Sequence, residues 1–153
     1  MSDKEKSAEL ILKLYDLRRE ETMRKARNWF GSFNPESEED VMNAVRGEHG
    51  AYYRMVTTYW DMACSFVNHG AIDEQMFNDA NAEHFFVFSK IHPFIEQLRA
   101  ATGSQYLPHL EKLVMRSPDA EKRLAHMREM SKKWAEMRAS AEAGKAQTDA
   151  ANA

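Results

Sequence analysis

Six histidines stand among 24 acidic residues in this 153-residue chain, and several pairs have spacings that put both side chains on one face of a helix. They are His92 with Glu96, His69 with Asp73 and His126 with Glu129, beside the adjacent pairs Glu83-His84 and Glu48-His49. Residues three or four apart on a helix are neighbours, so such pairs could hold a cation. A carboxylate-bridged di-iron bundle needs more, namely a Glu followed three residues on by His on each of two helices. No Glu in the chain meets that rule. Scattered pairs arise by chance among so many carboxylates, and neither a metal nor a cofactor is expected.

Other chemistries have less support. Cys64 lies in the apolar run YWDMACSFV, where a thiol is an inert core residue rather than a low-pKa nucleophile. No GxGxxG and no GxxxxGK[ST] loop occurs to cradle a phosphate. Enzymatic function is therefore the least supported class. The aromatic group Tyr52, Tyr53, Tyr59, Trp60, Phe85, Phe86 and Phe88 has two readings. Large aromatic residues at helical spacing form a core, in which the histidines and Arg54 partner the polar atoms of Tyr and Trp. The alternative is a small-ligand or metal-binding sensor, with Tyr59, Asp61, His84 and His92 around a pocket between the second and third predicted helices.

Helices must carry these side chains, because six Gly and four Pro are too few for the turns of a sandwich or barrel. The expected fold is an all-α bundle of about five helices. Residues 5–31 contain no helix breaker before the closing Gly31 and repeat Leu10, Ile11, Leu14, Tyr15, Met23, Ala26, Trp29 and Phe30 at three- and four-residue steps. Asn34-Pro35 reads as the cap and first position of a second helix running to Val67, bent but continuous through Gly47 to Gly50, each Gly costing about 1 kcal/mol relative to Ala. Asn68-His69-Gly70 closes that helix and Asp73 caps a third, making a central antiparallel hairpin joined at His69 to Ile72. Pro93 should kink the third helix near Ser89 to His92. QYLPHLEKLVMR forms a short fourth helix, and Ser117-Pro118 starts a fifth. Residues 1–140 are expected to make one domain, with 141–153, AEAGKAQTDAANA, frayed or disordered for want of large apolar side chains.

The net charge of −3 is uneven: residues 1–33 sum to +2, 34–103 to −7 and 104–153 to +2. Glu is interspersed through both basic ends, so no concentrated basic face forms and nucleic acid is not an expected partner. No apolar run approaches the 18 residues or so of a membrane span, and a single cysteine can form no internal disulfide, so a cytoplasmic protein is expected. Tyr53, Trp60 and Phe86 fall one position off the main apolar stripes. Helices apolar over more than one face are covered by another helix or another subunit. The leading expectation is a non-enzymatic helical interaction or scaffold module that forms a homodimer through Met and aromatic surface.

A longer pattern runs through YWDMACSFVNHGAIDEQMF, IHPFIEQLRAATG and YLPHLEKL, from residue 59 to residue 113. A helix ends in an aromatic-acid pair and a polar-Gly turn, restarts at Ile-Asp, and continues through a Pro-kinked helix to Arg99. In this it resembles an uncharacterised bacterial all-helical domain family of unknown function whose members often follow transmembrane helices. The resemblance implies a helical fold and supplies no catalytic residues.

Overall fold

A computed structural model describes residues 3–153, and every regular element among them is a helix. The helices are more numerous and shorter than the five expected, because local caps and close backbone contacts break the long apolar stripes. The first stripe divides into α1 (Asp3–Arg18) and α2 (Glu21–Ser32). Glu20 makes the break: its carboxylate accepts hydrogen bonds from the Thr22 and Met23 amides at 3.0 and 2.9 Å, satisfying two donors left open at the start of α2. The new direction buries Met23, Ala26 and Phe30 against the centre of the molecule.

The second expected helix is two helices, α3 (Glu38–Arg46) and α4 (Gly50–Asn68). The cap of α3 is Ser37, whose hydroxyl accepts from the Asp40 amide at 3.1 Å, so the Asn34-Pro35 start lies in the preceding loop. At the bend, a Cβ on Gly50 would lie 2.2 Å from the Val45 carbonyl oxygen. Only glycine permits that approach, and the chain turns there rather than bending smoothly.

The corner after α4 is built as expected. Gly70 takes φ 80°, and the Ala71 and Ile72 amides donate back to the Phe66 carbonyl, closing the last turn. Asp73 then caps α5 (Glu74–Ala80) through the Met76 amide at 2.9 Å. The returning arm was expected as one helix kinked near Ser89 to His92; that kink is present at Pro93, and a further break falls after Ala80. α5 stops after seven residues, α6 (Glu83–Ile91) follows, Pro93 sits in a 3-10 turn at His92–Phe94, and α7 (Ile95–Thr102) completes it. The chain closes with α8 (Pro108–Met115) and α9 (Ala120–Ala151). The residue before α9 is Asp119 in the left-handed region, φ 53°, so Ser117 is not its cap. Every residue of α9 beyond Ala135 is exposed.

The centre is α4, but its broad contacts go to α2 and α8, while α6 packs on α9; a simple central hairpin is thus corrected to a helix enclosed on several sides. Trp60, Tyr53, Phe30, Phe77, Phe85 and Phe88 fill the core, none more than 2% exposed. Each such side chain contributes roughly 1.5–3 kcal/mol when removed from water, and short helices survive here through that burial rather than through propensity. Cys64 is fully buried and its thiol pKa is pushed up by burial, as an inert core cysteine requires.

Candidate functional site

The four residues singled out for a ligand site are held by four separate contacts. Tyr59, on α4, donates its hydroxyl to the Leu14 carbonyl of α1, and burial pushes its pKa up to about 12. Asp61, two residues on, faces α8 instead and accepts from the His109 and Leu110 amides at 3.0 and 2.9 Å. His84 is fully buried among Trp60, Phe77 and Phe85, with Nε2 3.0 Å from the Asn78 side-chain oxygen. His92 reaches Glu121 of α9 at 2.9 Å. Tyr59 and His92 line two different surface depressions. Among the described residues, no group of three or more His, Cys, Asp or Glu is placed to hold a metal ion.

Asp61 caps α8 from outside that helix, because Leu107 at the cap position carries no side-chain acceptor and Pro108 opens the first turn. Asp61→Ala should therefore cost about 1–2 kcal/mol, the range for a lost helix cap, while Asp61→Asn keeps an acceptor and loses less. Urea denaturation of both variants checks this. Equal stability of Asp61→Ala and the parent would contradict the capping role.

A concavity of about 820 Å³ lies elsewhere, where α2, the start of α6 and α9 meet. Its apolar wall is Phe86 with Met127, Met130 and Trp134, and Trp134 is 52% exposed. Its polar wall carries Arg24, Arg27, Asn28 and Glu83, with His126 on α9. Arg27 grips Glu83 with Nε at 2.9 Å and Nη2 at 2.7 Å, and Arg18 adds a contact at 3.4 Å. The carboxylate beside it raises the Arg27 pKa. A second depression continues past Phe86 and Trp134 to Met137 and Arg138.

Beneath this groove sits a cation absent from the sequence-based candidates. Lys90 is 1% exposed, and its ammonium donates to the carbonyls of Phe30, Gly31 and Phe33 at 2.7, 3.1 and 2.7 Å. These carbonyls close the end of α2, where a positive charge is favoured, and those of Gly31 and Phe33 depend on the lysine. Its nitrogen also lies 4.5 Å from the centre of the Phe86 ring. A lone Lys inside the apolar run HFFVFSKI was the available signal.

A different apolar surface follows α4. Met55, Tyr59, Met62 and Phe66 recur at helical spacing along it, with Leu17 of α1 at the same surface. Leu17, Met62 and Phe66 are 57, 40 and 37% exposed.

A family model described as a domain of unknown function (DUF4760) matches residues 6–117, nearly three quarters of the chain. The protein belongs to the DUF4760 family. No curated protein and no solved structure matches it. The DUF4760 match takes in α1 to α8 and stops just before α9. The polar wall of the groove and Phe86 therefore lie within the DUF4760 region, whereas Met127, Met130 and Trp134 lie beyond it. No described helix is long and apolar enough to cross a membrane.

Proposed function

We propose that this DUF4760 protein is a non-enzymatic helical interaction module, active in the cytoplasm, that self-associates through the α1–α4 face. The observation that carries this reading is the apolar ridge of exposed Met62 and Phe66 beside Leu17, continued by half-buried Met55, on a helix whose other faces are enclosed. Contiguous exposed apolar side chains of this kind mark contact surfaces. A ridge running along a helix axis can meet its own copy across a two-fold axis, so one patch serves both subunits. The folded unit is residues 1–140, and the uncovered end of α9 is dispensable to it.

Native mass spectrometry and light scattering supply the test. The parent should run at twice the 17.7 kDa chain mass. Met62→Glu with Phe66→Glu should run as a monomer with unchanged helical circular dichroism, and truncation after Ser140 should leave the dimer intact. A monomeric parent across the micromolar range would sink the proposal.

A further inference from the structure

We propose that the groove between α2, α6 and α9 binds an organic anion with an apolar body, its acidic head at Arg24 and its body between Phe86, Met130 and Trp134. The site is separate from the self-association face, and the inference stands or falls independently of it. A volume of about 820 Å³ lies within the usual range for small-molecule sites. Phe86, Met127 and Met130 are only partly covered and Trp134 is half exposed, so apolar surface remains to be buried by an occupant.

Charge selects the sign of the ligand. Glu83 is the acidic group lining the groove, and its carboxylate is already shared by Arg27 and Arg18. Arg24 takes part in no ion pair among the described residues. The groove lining thus carries two guanidinium groups, Arg24 and Arg27, against one carboxylate, a surplus of one positive charge beside an apolar wall. His126, on the opposite wall, adds a nitrogen donor or acceptor and no negative charge. A guanidinium binds a carboxylate or sulfonate through paired N–H groups, whereas a cationic head would meet unpaired like charge. Asn28 can donate its amide to the same head. The depression beyond Trp134 gives a chain-like body room to continue toward Met137.

Lys90 belongs to the support of this site. Its ammonium is occupied by three carbonyls and lies over the Phe86 ring, so it fixes the apolar wall from behind rather than meeting the ligand.

Dodecanoate, below its micelle concentration, is the probe, with dodecyltrimethylammonium as the charge-reversed control. Trp134 is the reporter: of the three tryptophans Trp60 is buried and Trp29 is stacked on Phe33 and His49, and subtraction of the signal of a Trp134→Phe variant isolates that of Trp134. Dodecanoate should saturate a blue shift of Trp134 emission, and the ammonium compound should not. Arg24→Gln should weaken dodecanoate binding by roughly fivefold, as for loss of a partly exposed charge-assisted contact. Trp134→Ala, read by calorimetry, should weaken it by roughly tenfold. Arg138→Gln, at the far end, should change it little. No saturation by dodecanoate, equal binding of the cationic control, or a larger loss in Arg138→Gln than in Arg24→Gln would each overturn the assignment.

Discussion

Lys90→Met should lower the stability of the protein by about 2–4 kcal/mol at pH 6, read from urea denaturation midpoints and slopes. Two effects oppose one another. Burying an ammonium is costly, and burial pulls the Lys90 pKa down to about 7, so removing the charge recovers some free energy. Against that, the ammonium serves the last carbonyls of α2. Phe30 O keeps the Phe33 amide as a donor at 3.2 Å, but Gly31 O and Phe33 O lose the lysine contacts at 3.1 and 2.7 Å. A buried polar group stranded in this way costs about 1–3 kcal/mol, and two are stranded; the three carbonyl contacts already offset much of the cost of burying the ammonium, so little is recovered and the loss prevails. Methionine fills much of the lysine stem's volume, which confines the effect to the polar contacts. A Lys90→Met protein as stable as its parent would show that water reaches these carbonyls or that the ammonium contributes nothing net.

Acid should destabilise the fold through His84. The ring is fully buried, and burial, with Arg123 adding to it, pushes its pKa down to about 3. In the unfolded chain the same histidine titrates near 6.5. Between those values the unfolded chain binds the proton and the folded chain does not. Stability is therefore complete above about pH 6.5, falls as the pH drops, and has lost this contribution once the pH reaches about 3. The slope from one such group is at most about 1.4 kcal/mol per pH unit. His84→Phe retains an aromatic ring among Trp60, Phe77 and Phe85 and leaves Asn78 at the surface, where water can partner it. The stability difference between parent and variant, followed from pH 7.5 to 4.5, should move against the parent by about 2–3 kcal/mol. Parallel pH profiles would show that the ring accepts a proton in the folded state.

The turn at Asn68 to Asp73 was legible residue by residue, because its causes are local: Gly70 takes the left-handed conformation, and Asp73 lies three residues from the amide it caps. Helical content was legible for the same reason, since the apolar spacing and helix-forming residues act within a few turns. The breaks were harder to read. Glu20 differs in no obvious way from the other Glu residues of its stretch until its carboxylate is seen on two amides, and Gly50 is required only because Val45 folds back upon it. The four candidate ligand residues illustrate the limit of spacing. Tyr59 and Asp61 are neighbours on α4, yet two residues is a rotation of about 200° on a helix, which sends one to α1 and the other to α8.

From composition and periodicity alone, this chain was bound to be helical, apolar-cored and without a span of membrane-crossing length. The groove required the tertiary structure, because Arg24, Phe86 and Trp134 come from helices far apart in the chain and no local rule relates them. So did the ion pairs of Glu83 with Arg18 and Arg27, 65 and 56 residues away. Lys90 makes the point most directly. Its type and position were plain in the sequence, but a lysine in an apolar run can reach water or be enclosed, and only the packing of α2 against it supplies the carbonyls that make enclosure favourable.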